Sequence, residues 1–559
     1  MAMRLKRERI PGSSGGQASA ASTRFVLRGL LLVFIAVIII GGIRLRTWTW
    51  EKTTHLRFQH DIVNGFYWGS ETLKEARRLS PDDNSGNSWG AFLGGYFALY
   101  DRVKREAAGQ EYHLDYPPLR LLVMSIWAKQ VQKQFPGAED GKPEYVEPLL
   151  RLNLLCEALS ALGIFLLVRL WVNRASGATG SRFLHRVPPQ HRGWICGLAA
   201  AIVAWLDPSM ILGAHGWPQW DVWILPFYIF AALAASKNRW FACGCLLAFG
   251  GMLKGQLLLV APFFVLWPLW QKRWTRALRL LAGFAAMVAV LVAPWLLRNP
   301  AAWIVVAVTA GVFSLTLFCP RVPQAGPALA GVIAVAIFGA GALTGGSFAW
   351  LQIGFLYGSE HYPYLFISSC YNLPSLLSDL GWSLKAPFWS RDFGPLHLAF
   401  TPQWTLRLLY LGALVLCALG GARHARNRDP RLLIALATPW LLMFAILGQM
   451  HERYLLWGGV VSALALGVSL RTTVLTFILS AASTAMIAHV MLLDKKLDAT
   501  LSFIVLLDRA RPYASWVVLG CVALYFWEVL STGVPTFQSR RRFKRETSSI
   551  MPAPAMEKV

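Results

Sequence analysis

An all-α, polytopic transmembrane helical bundle is the fold class the sequence predicts, and three observations carry it. Hydrophobic residues make up 55% of the 559 and charged residues only 15%, where a soluble chain carries about 25% charge. Mean hydropathy is +0.45. Apolar runs long enough to cross a bilayer, about 18 residues or more, recur from one end to the other. These runs are continuous rather than alternating, which excludes a membrane β-barrel. A soluble globular enzyme, a disordered chain and a collagen-like chain are excluded as well.

In order, the sequence reads as about fourteen spans: 25–43, 148–168, 193–211, 221–236, 240–253, 256–270, 278–297, 302–319, 327–344, 404–420, 431–448, 454–470, 473–493 and 513–531. A basic tail, 1–24, precedes this 25–531 domain, and a second basic tail, 532–559, follows it. No cleavable signal peptide is expected, because the first run is long enough to stay as a helix and ends without a small-residue cleavage site. Several runs are short for a crossing, which predicts tilted or re-entrant pairs.

Lys and Arg number 54 against 29 Asp and Glu, a formal charge of +25. In a membrane chain such an excess orients loops toward the cytoplasm and anionic lipid, so no nucleic-acid partner is expected. The basic stretches are Arg169–Arg192, Lys237/Arg239, Lys272/Arg273/Arg276 and Arg423–Arg431, together with both tails. Counting spans puts them all on one side. Lys495, Lys496, Arg509 and Arg511 fall on the other side and dissent. The eight cysteines lie mostly in apolar runs, and Cys243/Cys245 has no His or carboxylate beside it, so neither a disulfide framework nor a metal site is expected.

The outer side then receives two long segments, 44–147 and 345–403, and the short turns His215–Asp221, Lys254–Gln256 and Gln449–Arg453. Nearly every unusual polar residue falls on this face. Ionisable groups at a membrane boundary are costly to bury and mark function by default. The first long segment carries amphipathic helical patterns at Asn64–Leu79, Trp89–Lys104 and Leu119–Phe135. The last is opened by Pro117-Pro118, since proline is tolerated in a first helical turn. Two carboxylates stand out there, Asp61 and Asp115. Either can take a proton from an attacking hydroxyl if aimed at it in a water-poor site. Either can equally be a helix cap.

An outer-face Asp61 followed by Leu114-Asp115-Tyr116-Pro117-Pro118-Leu119 resembles the asparagine-linked-glycosylation glucosyltransferases that use dolichyl-phosphate-glucose, within the polytopic C-type (GT-C) glycosyltransferases. Further stretches follow in the family's order. Ala214-His215-Gly216-Trp217-Pro218-Gln219-Trp220-Asp221 resembles Asp-His-Gly-His-Phe-Gln-Tyr-Asn, with Ala214 and Asp221 departing from it. Leu253-Lys254-Gly255-Gln256 resembles a Phe-Lys-Gln segment, Tyr371-Asn372-Leu373-Pro374 an Asn-hydrophobic-Trp stretch, and His451-Glu452-Arg453 a His-Glu-Lys motif. The likeness covers about residues 45–460, and the hairpin at about 302–344 looks like an insertion.

The resemblance implies an inverting hexosyltransferase; no cofactor is expected, and a divalent metal is not compelled, because two basic side chains can replace it electrostatically. The enzyme's donor is a polyprenyl-phosphate sugar (glucose or mannose). Its acceptor is a hydroxyl of a lipid-linked or other extracytoplasmic glycan. Asp61 carries over as general base and Asp115 as the second acid. Lys254, His451 and Arg453 are expected to hold the donor phosphate, Arg453 with a planar fork suited to it. His215, Gln219, Asp221, Gln256, Tyr116, Asn372 and Glu452 are the expected substrate-binding residues. Trp217 and Trp220 can stack on a sugar or sit in an interfacial aromatic belt. The expected location is a bacterial plasma membrane with the site outside, or else the endoplasmic reticulum. A flippase of lipid-linked saccharides and a GT-C enzyme acting on protein or lipid A are the competing readings. Transporters tend to carry internal repeats, and none is evident.

Overall fold

A computed structural model of the chain describes residues 15–53, 60–81, 88–107, 114–138, 141–175, 188–318, 325–362, 364–495 and 501–531. Most of both predicted tails, and with them Lys496 and Cys319, lie outside the described residues. The described chain is almost wholly helical, and nine of its helices are long and apolar enough to cross a membrane. Rows of large apolar side chains on these helices are exposed, among them Leu32, Ile304, Val335 and Leu343. Such a surface suits lipid and would be an aggregation hazard in water. The architecture is that of a multi-pass membrane protein.

Four further apolar helices are shorter: Asp221–Ser236, Trp240–Leu253, Leu257–Trp270 and Leu432–Ile446. Asp221–Ser236 and Leu432–Ile446 lie inside the bundle, whereas Trp240–Leu253 and Leu257–Trp270 expose part of one side, Ala242 on the first and Leu259 and Trp270 on the second. Every residue of Leu432–Ile446 is buried. An inner helix has protein on all sides, so it need not match the lipid thickness, and irregular backbone at its ends is tolerated there. The predicted run 454–470 is broken. A helix spans Leu455–Ser462, a 3-10 turn follows at Ala463–Ala465, and Gly467 takes φ 83°. Small residues let neighbours approach closely: a Cβ on Gly244 would strike the Leu280 carbonyl, and one on Gly283 the Phe241 carbonyl.

The first helix runs Gly15–Lys52, beyond the predicted 25–43 at both ends. Residues 44–52 are therefore helix rather than loop, and the buried Arg46 lies inside the bundle. Among the described residues, the first long segment then carries the three predicted helices, His60–Leu79, Trp89–Ala107 and Pro118–Gln134, and a 3-10 turn, Pro143–Tyr145. The third helix buries Leu119, Leu121, Met124 and Trp127, while Ile126 is exposed. This group docks on the helix Trp274–Leu296 through Trp295, whose indole meets Tyr96, Phe97 and Tyr100 edge-on and donates to the Phe97 carbonyl at 2.9 Å.

The second long segment adds an element the sequence reading lacks. Trp389–Phe393 pairs antiparallel with Leu396–Phe400, with Trp389 opposite Phe400. Gly394, at φ 62°, supplies the left-handed residue that so tight a turn needs. The fold is thus an all-α bundle with one small β-hairpin among the described residues.

Candidate functional site

Four separate pieces of chain converge on one cluster. Asp61 lies in the first turn of His60–Leu79. Gln219 and Asp221 lie on the turn between a π-helical turn, Leu212–Gly216, and a 3-10 turn starting at Asp221. Lys254 breaks the helix after Leu253 by taking extended backbone. Arg453 lies in a 3-10 turn, Glu452–Tyr454, between the inner helix Leu432–Ile446 and Leu455–Ser462.

Gln219 Nε2 donates to Asp61 Oδ2 at 2.7 Å. Lys254 Nζ is ion-paired with Asp221 Oδ1. Arg453 is the hub: it lies 3.0 Å from Asp221 Oδ2, 3.6 Å from Glu452 and 3.7 Å from Asp61. Its guanidinium sits 5.3 Å from the Trp217 ring centre, and the Lys254 ammonium sits 4.7 Å from that of Tyr454. Tyr454 in turn stacks on Trp457, whose indole donates to the Asp221 carbonyl at 2.7 Å. Trp217 and Trp220 are buried inside, so they do not form an interfacial belt.

The charges bias one another. Burial works against ionisation of Asp61, but Arg453, Arg120, the hydrogen bond from Gln219 and Lys254 outweigh it and hold the carboxyl below the usual aspartate range. Burial pushes Lys254 down to about 8, aided by Arg120 and Arg453 and opposed by Asp221. Burial, then Arg453 and Lys254, push His451 down to about 3. This bias favours the neutral imidazole, which can still donate or accept a hydrogen bond. Burial pushes Glu452 up, against Arg453.

The remaining predicted residues fall around this cluster. Asp115 is exposed, close enough for its charge to act on Arg120 and Tyr116. Its segment is pinned by two tyrosines one helical turn apart: Tyr100 donates to the Tyr116 carbonyl at 2.6 Å and Tyr96 to the Pro118 carbonyl at 2.8 Å. Asp115 does not cap the next helix, whose N-cap is Pro117. Tyr116 is buried under the Arg120 guanidinium, 4.1 Å from its ring centre. Gln256 Nε2 donates to the Tyr454 hydroxyl at 3.4 Å. Asn372, expected on substrate, is buried and caps the helix Leu373–Asp379 by accepting from Ser375 N at 3.1 Å.

His215 is also turned to a protein partner. Its Nε2 lies 3.3 Å from Glu157, which is ion-paired with Arg46 in the bundle interior. Sequence reasoning missed Glu157 and Arg46, and it missed Arg120 and Asn153. Asn153 Nδ2 donates to the carbonyls of Ala214 and Gln219, at 2.8 and 3.1 Å, and its Oδ1 accepts from Trp223 at 2.6 Å. It thus sets the turn that presents Gln219 and Asp221. A carboxylate inside the apolar run 148–168 was the available signal for Glu157.

The arrangement can hold a carboxylate ionised in a mostly buried site, beside two cations that can exchange partners. Compared with models of known protein families and with curated protein sequences, the chain matches none.

Proposed function

We propose that the chain is a membrane-embedded inverting hexosyltransferase of the GT-C kind, using a polyprenyl-phosphate sugar as donor and a hydroxyl of a lipid-linked or other extracytoplasmic glycan as acceptor. The observation that carries the reading is the meeting of Asp61, Lys254 and Arg453 in one cluster, although they come from residues far apart in the chain. A donor with a long isoprenoid tail enters from lipid, which suits a site among buried transmembrane helices.

In the proposed step Asp61 takes the proton of the acceptor hydroxyl. The hydroxyl oxygen bonds to the anomeric carbon as the bond from that carbon to the phosphate oxygen breaks. The electron pair leaves with polyprenyl phosphate, and configuration inverts in the single displacement. A phosphodiester becomes a monoester, so negative charge grows on the leaving group. Lys254 and Arg453 are the cations that stabilise that growth in this reading. To do so they must loosen from their acids. Glu452, which burial already pushes toward the protonated form, is the partner most readily given up. Asp115, open to solvent, orients substrate.

The test is Asp61→Asn in purified protein given synthetic polyprenyl-phosphate glucose and mannose with a glycolipid acceptor. Transfer is expected to fall by about three orders of magnitude or more with thermal unfolding little changed. Unaltered turnover would remove Asp61 as the base.

A further inference from the structure

The helices that carry the cluster lead, at their other ends, to a second site. Leu225–Ser236, Trp240–Leu253 and Leu432–Ile446 have 12, 14 and 15 residues, so the two ends lie roughly 20 Å apart along the helix axes. At the far end is a cavity of about 600 Å³ lined by Arg174, Arg273, Arg276, Arg426 and Arg428, a volume in the range of small-molecule sites. No carboxylate lines it among the described residues. The nearest acid in sequence, Asp429, is engaged by His424 at 3.1 Å and by Arg431 at 2.6 Å.

Two of the arginines have local work. Arg174 donates to the Ser236 carbonyl at 2.9 Å and Arg426 to the Trp270 carbonyl at 3.2 Å, each closing a helix end. Arg273, Arg276 and Arg428 have no ion pair among the described residues, and Arg276 reaches only Gln271 Oε1 at 3.5 Å. A second observation points to an acceptor. Trp267 lines the same cavity and is 3% exposed, yet its indole N–H has no hydrogen-bond partner among the described residues. A buried donor left unpaired is costly. Arg273 and Arg428 are exposed and Arg276 is half-buried, and all three line one cavity walled by Trp171, Trp240 and Trp267.

We infer that this cavity binds a phosphate-bearing anion, held by Arg273, Arg276 and Arg428 and by the Trp267 indole N–H. Guanidinium forks match phosphate oxygens, and the indole supplies one neutral donor. A lipid headgroup and a soluble diphosphate share this chemistry. The inference does not depend on the transferase reading.

The test uses full-length protein in non-ionic detergent, titrated with inorganic pyrophosphate and, separately, with dioctanoyl phosphatidic acid. Binding is read by native mass spectrometry and by the shift in thermal unfolding. One saturable site for either probe is expected, and the probe that binds identifies the source. Arg273→Gln/Arg428→Gln should weaken it about tenfold or more. Lys237→Gln/Arg239→Gln, which removes the same charge from exposed residues that do not line the cavity, should change it less than about twofold. Equal weakening by both pairs, or no saturable binding of either probe, overturns the site. If the first pair fails to fold, Trp267→Phe keeps the ring and removes the donor. It should weaken binding several-fold, and unchanged affinity in that variant overturns the assignment.

Discussion

Gln219 donates a 2.7 Å hydrogen bond to Asp61 across 158 positions of sequence, joining the first long segment to the turn between two helices of the bundle. The bond stabilises the ionised carboxylate. Its loss in Gln219→Leu should raise the Asp61 pKa, by an amount set by a charged hydrogen bond of about 1.5–3 kcal/mol. Asp61 acts as a base only when ionised, so the acidic limb of the rate profile should move to higher pH by about one to two pH units, while the rate at neutral pH, where the carboxylate stays ionised, should change little. A pH–rate profile for both proteins checks this. An unmoved limb would separate Gln219 from the base.

Lys254 predicts the opposite limb. Burial sets it at about 8, so the side chain is cationic below that pH and loses its charge above it. Asp221, Arg453, Arg120 and the Tyr454 ring face it. Donor use, read as kcat/KM for the polyprenyl-phosphate sugar, should therefore fall as pH rises through about 8. Lys254→Arg should retain its charge and carry that fall beyond the accessible range. A profile identical in the two proteins would assign the limb to another group.

Arg453 touches three carboxylates and is 9% exposed, so its truncation is a folding experiment as well as a binding one. Arg453→Ala leaves Asp61, Asp221 and Glu452 undercompensated, and removing one partner of a buried pair costs about 3–5 kcal/mol. A lower unfolding temperature is expected. Arg453→Lys keeps the charge and loses the planar fork. It should unfold near the wild-type temperature while the donor KM rises about tenfold. A Lys variant with wild-type KM would deny Arg453 a role in phosphate recognition.

The sequence made Asp61, Gln219, Asp221, Lys254 and Arg453 legible because each is polar where the chain turns at the end of an apolar run. The inner helices were legible as apolar but not as inner, since a short apolar run looks the same facing lipid or facing protein. Arg120 was hidden because an arginine after Pro117-Pro118-Leu119 reads as the polar face of an interfacial helix. Asn153 was hidden because its partners are backbone carbonyls of residues 214 and 219, which no side-chain pattern announces. The dissenting Arg511 has a local reason: it pairs with Asp379 of the second long segment at 2.6 Å, so its charge at that end is matched.

Glu157 was passed over as a lone charge in a long apolar stretch, and Arg46 because, with Arg44, it falls just past the expected first span in the outer segment; only the fold brings them together. Both are buried, at 0% and 2% exposure. Arg46 is further fixed by donating to the carbonyls of Gly42 and Trp205, at 2.9 and 2.8 Å, and by lying 4.0 Å from the Trp205 ring centre. Glu157→Leu would strand that guanidinium and also release His215, which begins the turn that ends at Asp221. The cost should be about 3–5 kcal/mol. Arg46→Met with Glu157→Leu removes both charges, and most of the loss should return because no unpaired charge remains. Thermal unfolding of the two single variants and the double variant measures the coupling. Additive losses would mean that the two side chains stabilise the bundle independently, through packing rather than through their charges.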